Sequence, residues 1–410
     1  MEKITFCIPS KNNKRYLEAC IPSIRKNSFR DDHDIIVFVD EDKDGTVEWL
    51  NSVKEKYNIN FEVNNTGKLY GIGRAYDHCI KNSKTDIFMI FHADMMLGKN
   101  ADLEAFKHLD KNKVVCSTRI EPPLHPSGPE KIIKDFGLWP EEDVEDGWKE
   151  KQFDEFVEKL KVENKDMTTN GCFAPWMMYK TDFVAIGGHD LKFHSCREDS
   201  DVFNRCVLAG YDLVQSWESY VYHLTARAGQ FQHGKLTQDH SQKSKEWRKM
   251  MDASTREFFR KWGSLVNHDR YMMPIITPKY DITFILNNTT YELLFNLEPW
   301  CSKVVVDYSG IKDAYIRHEQ PNTSYDLSEK VKFNWDKPHY DYHKKDSIIV
   351  EFDCNKFTDK HWQIIHSLSA ILKDSGEIGK MNYDIFSFTI NSLKSHEKDL
   401  IINENSEFTD

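Results

Sequence analysis

Two ionisable side chains end a strongly apolar run in the stretch MIFHADMML, residues 89–97. The apolar residues predict a buried strand, and His92 and Asp94 follow it directly. A carboxylate at the end of a strand is a ligand that Mg²⁺ or Mn²⁺ commonly takes, together with substrate phosphates. The alternative, from these residues alone, is an aspartate that caps a helix or forms a turn.

A second group of acids lies in the stretch CREDSDVFNRCVLAGYDL. Glu198, Asp199 and Asp201 precede the apolar face of a predicted amphipathic helix. Because three carboxylates within four residues repel one another, one is expected to have a raised pKa suited to accepting a proton from a hydroxyl group. The alternative is that the acids only complement the dipole of the helix.

A third candidate lies in YVYHLTARAGQ, where His223 ends a strand-like run and Arg227 follows four residues later. An imidazole can bind a metal ion, and a guanidinium can bind a phosphate. The alternative for His223 is a structural histidine with ordinary hydrogen bonds. The order of strand, acid, acid cluster and histidine favours the functional interpretation.

The elements that would position these residues follow a regular order. In the first 120 residues, short β-rich runs such as ITFCIPS and DIIVFVD alternate with helical patterns, which predicts a parallel sheet covered by helices. Ligands of such sheets bind at the carboxyl ends of strands. Polar groups are predicted at three of these ends: residues 9–12, 40–42 and 92–94.

Charge and composition exclude several classes of protein. The 410 residues include 55 basic and 66 acidic side chains, a net charge of −11, so nucleic acid is not expected as the main partner. No run approaches the roughly 20 apolar residues of a transmembrane segment, and the N-terminus lacks the layout of a signal peptide. Nine scattered cysteines without a CxxC pair indicate neither a disulfide framework nor a zinc site, so we expect a cytoplasmic protein.

Three regions are predicted along the chain. Residues 1–235 form the catalytic domain, residues 236–273 a helical connector, and residues 274–410 a second α/β domain without a recognised motif. The final NENSEFTD is predicted to be a loose tail. An inserted flap at about 126–168 contains Trp139 and Trp148, and a helix there presents Phe153, Phe156, Val157 and Leu160 on one side.

Two of these regions have alternative interpretations. The flap could close over a substrate, or it could be an ordinary solvated insertion. In the connector, Trp247, Met251, Phe258 and Trp262 recur at near-helical spacing among basic residues. A basic amphipathic helix can lie on a membrane, but we favour a helix that packs between the two domains.

Several ordered stretches resemble the GT-A glycosyltransferases, in particular the large inverting family 2 group. The similarity runs from Ile4 to about Gln230, through FCIPSKNNKRYLEACIPSI, IIVFVDEDKDGT, NNTGKLYGIGRAYDHCI, DIFMIFHADMML, NGCFAPWMMYKTDFVAIGGHD and REDSDVFNRCVLAGYDLV. The resemblance implies a GT-A nucleotide-diphospho-sugar transferase-like fold, a Rossmann-like mixed α/β sheet, here followed by the second, smaller C-terminal α/β domain.

The resemblance also implies a role for each matching residue. Asp94 and His223 would bind Mn²⁺ or Mg²⁺, Asp199 would be the general base, Glu198 would place the acceptor, and Trp176 would stack on its sugar or, alternatively, pack in the core. The residues implied for binding the donor are Pro9, Ser10, Asn12, Asp40, Arg74, His92 and Arg227. His92 replaces the first aspartate of the family's Asp-x-Asp signature, and Lys11 stands where the family often has an aromatic residue.

These observations predict a metal-dependent, inverting glycosyltransferase. It would move a sugar from a nucleotide-sugar donor to a hydroxyl of a glycan, lipid-linked or other acceptor. One alternative is a sugar-nucleotide pyrophosphorylase, which would need a glycine-rich loop where this chain has PSKNNKRYL. The other is a carbohydrate-binding or virion-surface protein that kept the scaffold and lost turnover.

Overall fold

The chain divides into two compact units in a computed structural model, which describes residues 2–123, 126–137, 148–224, 245–333 and 347–408. Unit 1 contains residues 1–251, 268–275 and 402–410, and unit 2 contains residues 252–267 and 276–401. Each unit has its own mixed α/β sheet. The predicted fold class, a mixed α/β protein with a second α/β sheet region in its C-terminal part, is confirmed.

Within the described residues, unit 1 contains ten strands. They are β1 (Ile4–Lys11), β2 (Asp34–Glu41), β3 (Ile59–Val63), β4 (Ile87–Ile90), β5 (Met95–Leu97), β6 (Lys113–Glu121), β7 (Lys131–Ile133), β8 (Thr168–Asn170), β9 (Trp176–Tyr179) and β10 (Asp212–His223). Its helices are α1 (Lys14–Asn27), α2 (Thr46–Tyr57), α3 (Ile72–Asn82), α4 (Ala101–Phe106), α5 (Glu150–Glu163), α6 (Lys180–Ala185) and α7 (Glu198–Leu208). Helix α8 (Lys245–Trp262) follows.

The sheet of unit 1 brings the ends of its parallel strands to one edge. Its strand order is β3-β2-β1-β4-β9-β6-β10-β5, with β9 antiparallel to β4 and β6, and β5 antiparallel to β10. Strands β1 and β4 read as continuous apolar runs because both their faces are buried, as in other parallel sheets. Polar residues are therefore concentrated where these strands end.

The predicted flap helix is confirmed as α5. Phe153, Val157 and Leu160 are buried in one apolar cluster, and Phe156 is partly buried against it. Trp148 stacks on Tyr222, with ring centroids 5.1 Å apart. These contacts make α5 an integral part of unit 1; Trp139 lies outside the described residues.

Unit 2 has six strands: β11 (Ile282–Asn287), β12 (Lys303–Val306), β13 (Val331–Phe333), β14 (Ile348–Asp353), β15 (Gly379–Tyr383) and β16 (Phe386–Ile390). Its helices after α8 are α9 (Tyr291–Leu297), α10 (Ser309–Glu319), α11 (Leu327–Lys330) and α12 (Asp359–Ser375). The strand order is β13-β12-β11-β14-β16-β15, with the first four parallel and β16 antiparallel to β14. Unit 1 begins with the same arrangement, β3-β2-β1-β4 followed by an antiparallel strand.

The C-terminal half of α8 is buried rather than exposed. Phe258 and Trp262 are both 1% exposed, and Arg260 forms ion pairs with Glu257, Glu298 and Glu319. This face is therefore not available to lie on a membrane surface. Among the described residues, every helix is too short or too polar to span a bilayer.

The terminal residues are packed against the rest of unit 1, so the prediction of a loose tail is wrong for residues 403–408. Asn403 is 4% exposed, and its Nδ2 donates hydrogen bonds to the carbonyl oxygens of Gly187 and His189, each at 3.0 Å. Gly187 has a φ of +81°, and a Cβ there would lie 2.1 Å from the Asn403 carbonyl oxygen. Only glycine permits so close an approach of these two segments.

Candidate active site

The pairing of β5 with β10 brings His223 to Asp94. Asp94 lies in the loop after β4, and the next residue, Met95, pairs directly with His223 at the end of β10. The backbone N–H of Leu224 donates to the Asp94 carbonyl oxygen at 3.0 Å. The side chains also meet, since His223 Nε2 lies 3.6 Å from Asp94 Oδ1.

His92 completes a cluster of three possible metal ligands. One ligand atom each from His92, Asp94 and His223 lies within 4.8 Å of the other two. Burial, together with the charges of His223 and Arg119, lowers the pKa of His92 well below its usual range, so its imidazole is neutral and has a lone pair for a cation. Two imidazoles and one carboxylate fit a divalent transition-metal ion such as Mn²⁺ better than Mg²⁺, which favours oxygen ligands.

Glu121 contacts the Nδ1 side of the His223 ring, and this residue was not predicted from the sequence. Its Oε1 lies 2.8 Å from His223 Nδ1, and its carboxylate is 1% exposed beside Arg119 (3.3 Å) and Lys131 (3.2 Å). Burial alone would raise the pKa of Glu121, but the hydrogen bond from His223 and the two cationic neighbours hold it well below the usual range. A carboxylate at Nδ1 orients the ring and leaves Nε2 for a metal.

The acid pair lies at the start of α7. Glu198 and Asp199 occupy its first turn, directly after Arg197, which has a φ of 75°. Burial and the charge of Asp199 raise the pKa of Glu198 to about 8, so Glu198 carries a proton at neutral pH. Asp199 is half-buried and accepts a hydrogen bond from the Ser200 backbone N–H at 2.6 Å.

Asp201, the third acid of the cluster, has a structural role. It forms a salt bridge of 2.8 Å with Arg205, and both side chains are fully buried. The same guanidinium donates to the carbonyl oxygens of Ile186 and Gly188. The raised pKa expected in this cluster is found at Glu198.

Tyr76 on α3 connects the acid pair with the cation cluster. Its ring centroid lies 6.4 Å from that of His92, and the side chain is 2% exposed. Gly73, one turn earlier, faces α7: a Cβ at Gly73 would lie 3.5 Å from Glu198 Cβ. Burial and the charges of Glu198 and Asp94 raise the pKa of Tyr76 well above its usual range, so its hydroxyl keeps its proton.

The remaining predicted donor residues lie at the ends of β1 and β2 and on α3. Pro9 is half-buried on β1, opposite Phe38, and the next residue, Ser10, is 2% exposed. Asn12 joins the two strand ends, since its Nδ2 donates to Glu41 Oε2 at 2.9 Å and its Oδ1 accepts from the Lys43 N–H at 2.6 Å.

Asp40 and Arg74 are engaged in the chain itself. Asp40 accepts hydrogen bonds from Asn64 Nδ2 and from the N–H groups of Tyr70 and Gly71, and so fixes the loop before α3. The Arg74 guanidinium lies 4.1 Å from the centre of the Tyr70 ring and pairs with Glu407 of the terminal segment. The sequence alone gave no signal for this pairing.

One predicted site residue is corrected, and one lies outside the described residues. Trp176 is 1% exposed on β9, between β4 and β6, and packs against Phe88, Phe183 and Phe203. A ring buried in this way cannot stack on an acceptor sugar, so the alternative of core packing holds. Arg227 is not among the described residues.

Comparison with known proteins supports the interpretation of unit 1. Residues 5–173 match the family described as "Glycosyl transferase family 2". The match covers less than half of the chain and lies within unit 1. It includes Asp94, Tyr76 and Glu121, whereas the acid pair and His223 lie beyond it.

Solved structures of glycosyltransferases are similar to the chain at low identity. One is GalNAc-T7 with UDP, GalNAc and Mn²⁺, at 12% identity and a TM-score of 0.43, covering 64% of this chain and 51% of that one. Another is S. aureus TarS, at 12% identity and a TM-score of 0.38, covering 63% of this chain and 43% of that one. The chain thus spans about half the length of these structures or less. No curated protein sequence matches it.

Proposed function

We propose that the protein is a metal-dependent, inverting glycosyltransferase that moves a sugar from a nucleoside-diphosphate donor to an acceptor hydroxyl. The main support is the cluster of His92, Asp94 and His223, which lies beside a buried tyrosine on a helix that also adjoins Glu198. His92, Asp94 and this tyrosine are among the residues that match family 2. A cation site and a proton acceptor close together are what such a transfer requires. The acceptor is a glycan, a lipid-linked or another hydroxyl compound.

His92, Asp94 and His223 would hold the cation, with Glu121 orienting His223. A divalent ion bound there supplies positive charge to the diphosphate oxygens as they gain negative charge. Mn²⁺ is proposed as the ion, because two of the three ligands are imidazoles. Since Asp94 and His223 are both buried, few competing waters surround the ligand atoms.

Asp199 is the proposed general base. The acceptor oxygen attacks the anomeric carbon while its proton passes to the Asp199 carboxylate, and the bond from the anomeric carbon to the diphosphate oxygen breaks with its electron pair on that oxygen. Protonated Glu198 can donate a hydrogen bond to the acceptor without competing for its proton. This division of roles between two adjacent acids agrees with the raised pKa of Glu198.

Pro9, Ser10, Asn12, Asp40 and Arg74 are proposed to line the nucleotide end of the site. Ser10 is the best supported of them, because its Oγ is buried and has no hydrogen-bond partner among the described residues. Arg74 could bind the donor only after exchanging its contact with Glu407. Arg227 keeps its proposed role at the leaving diphosphate.

The first prediction separates the cation site from the base. With a panel of UDP-, GDP- and dTDP-sugars and Mn²⁺, the wild-type protein is expected to release nucleoside diphosphate. Asp199→Asn should lower kcat by about 10²- to 10⁴-fold while the Kd of the donor stays nearly unchanged. Asp94→Asn should weaken Mn²⁺-dependent donor binding by more than about a hundredfold, since even residues that only orient metal ligands change affinity about 10- to 100-fold.

Asp110→Asn is the matched control, because Asp110 is exposed just before the amino end of β6, at the edge of the sheet opposite the site. It should behave as wild type in titration calorimetry and in turnover. Full turnover of Asp199→Asn would refute the assignment of the base. Binding of nucleotide sugars without any turnover by the wild type would favour the carbohydrate-binding alternative over an enzyme.

A further inference from the structure

Three buried polar atoms at the candidate active site have neither a hydrogen-bond partner nor an ion-pair contact among the residues that the structure describes. They are Ser10 Oγ, Tyr76 Oη and Glu198 Oε2. Buried polar atoms in native proteins are nearly always hydrogen-bonded, because an unpaired one loses its contact with water and gains nothing in exchange. Each of these atoms therefore requires a partner from outside the described residues.

The position of Tyr76 distinguishes its hydroxyl from the other two atoms. The ring lies on α3 with its centroid 6.4 Å from the His92 ring and 5.8 Å from the His189 ring, on which it stacks. Gly73, three residues earlier on the same helix face, adjoins Glu198. Tyr76 thus lies beside the His92 ring of the cation cluster, on the face of α3 that adjoins Glu198.

The order of the reacting groups decides which part of a substrate meets this hydroxyl. In the proposed function, the diphosphate is held at the cation cluster, and the acceptor hydroxyl is held at the acid pair. The sugar being transferred must lie between the cation cluster and the acid pair. Its anomeric carbon is bonded to the diphosphate and is attacked by the acceptor hydroxyl. A hydrogen-bond donor that adjoins both sites faces that sugar.

We propose that the Tyr76 hydroxyl binds the transferred sugar and donates a hydrogen bond to one of its hydroxyl groups. Tyr76 would then help determine which sugar the enzyme accepts, because a buried donor left unpaired penalises a sugar that lacks the matching hydroxyl. The proposal rests on the proposed function, and it adds a residue that neither the motifs nor the charges of the sequence indicated.

The variant Tyr76→Phe tests this role, because it removes only the hydroxyl. Titration calorimetry with Mn²⁺ would compare UDP with UDP-glucose, UDP-GlcNAc and UDP-GalNAc, or GDP and dTDP with their sugars if those bind. We expect the Kd of the nucleoside diphosphate to stay unchanged and the Kd of the nucleotide sugar to rise about three- to tenfold. The melting temperature of the ligand-free variant should not fall, because the lost hydroxyl has no partner within the described residues.

Tyr211→Phe is the matched control. The Tyr211 hydroxyl donates to the Asp182 carbonyl oxygen at 3.2 Å, and Tyr211 lies beyond the far end of α7, after Leu208. This variant should bind nucleotide sugars as the wild type does. A second measurement uses deoxy analogues of the sugar that binds: the wild type should lose affinity for one of them, and Tyr76→Phe should not distinguish that analogue from the parent.

The outcomes separate the two proposals. If the wild type binds no nucleotide sugar with Mn²⁺, the proposed function fails and this inference fails with it. If the wild type binds and transfers a sugar but Tyr76→Phe has the same Kd for it, only the role of Tyr76 is refuted. If Tyr76→Phe lost affinity equally for the nucleoside diphosphate and for the nucleotide sugar, the proposed role would also be refuted. Tyr76 would then support the cation cluster and not the sugar.

Discussion

At the scale of single residues, the replacement of a carboxylate by His92 would determine which cation the proposed site prefers. Imidazole is a poor ligand for Mg²⁺, which takes oxygen ligands in a nearly ideal octahedron, whereas transition-metal ions accept nitrogen. In the proposed function, the partly buried, neutral His92 ring therefore restricts the choice of metal more than Asp94 does.

The variant His92→Asp should shift this preference toward Mg²⁺. A second carboxylate gives the cluster two oxygen ligands, so the ratio of Mn²⁺-supported to Mg²⁺-supported turnover is expected to fall about tenfold or more. Two adjacent carboxylates also repel one another when no cation is bound, so the metal should raise the melting temperature more in the variant than in wild type.

Activity assays with each metal and thermal melts with and without it would measure both effects, with His108→Asp, a substitution in the turn after α4, as the control. An unchanged metal ratio would show that His92 is not a ligand.

Glu198 gives the protein a pH dependence of stability with a definite sign. The unfolded chain releases the proton of Glu198 near its ordinary pKa of 4.5, but the folded chain holds it until about pH 8. Between these values the folded state binds more protons, so the free energy of unfolding falls as pH rises from about 4.5 to about 8 and then levels off.

We therefore expect Glu198→Gln to show a smaller loss of stability than wild type over that range. Denaturant unfolding at a series of pH values would give the free energy of unfolding of both proteins. The difference between these free energies removes the contribution of the other titrating groups. Glu158→Gln, an exposed substitution on α5, should follow the wild-type curve. Parallel curves for wild type and Glu198→Gln would contradict the raised pKa.

At the scale of elements, the sequence predicted the repeating part of the fold well. The alternation of strands and helices from β1 to β4 was predicted, with β1 and β2 near their observed bounds, because a buried parallel strand and an amphipathic helix each leave a strong periodic pattern. A second α/β region after residue 274 was also predicted. Local periodicity is sufficient where an element is long and regular.

The short antiparallel strands could not be predicted in the same way. Met95–Leu97 and Trp176–Tyr179 have three and four residues, too few to show a period, and their partners are distant in the chain. Yet β5 is what aligns His223 with Asp94, and β9 is what buries Trp176 in the sheet. The sequence pattern around an aromatic residue is the same whether the ring packs in the core or stacks on a ligand. Only the order of strands in the sheet distinguishes these two roles.

The site was predicted in part for a related reason. Strand ends with His92, Asp94 and His223 are conspicuous, since ionisable groups there interrupt apolar runs. Glu121 and Tyr76 are not, because a glutamate at the end of β6 and a tyrosine within α3 follow common patterns. Their importance depends on which side chains lie opposite them, and that is a property of the tertiary structure.

At the scale of the whole molecule, the two sheets share a plan that the sequence did not reveal. Strands β1 and β11 both begin with Ile-Thr-Phe, and each pairs in parallel through its first isoleucine, Ile4 with Ile87 and Ile282 with Ile348. In both sheets the chain then places an antiparallel strand beside the fourth one. The shared order is visible only from the pairing, because the helices and loops between these strands differ in length and composition.

The last residues of the chain return to unit 1, which gives a prediction about its stability. The buried Asn403 amide donates to the carbonyl oxygens of Gly187, His189 and Asn405, and its backbone N–H donates to Ile186. Asn403→Ala would leave these buried acceptors unpaired, which costs about 1–3 kcal/mol for a single group. We expect the variant to lower the melting temperature of the unit that contains the candidate site.

Calorimetry with and without the nucleotide sugar and Mn²⁺ would identify that unit, because a ligand that binds only the folded state raises the temperature of its own transition. The transition raised by ligand should be the one that Asn403→Ala lowers. Asn82→Ala, which removes one exposed amide contact at the end of α3, is the control and should change neither transition appreciably. If Asn403→Ala left the ligand-sensitive transition where it is in wild type, the terminal segment would not stabilise unit 1.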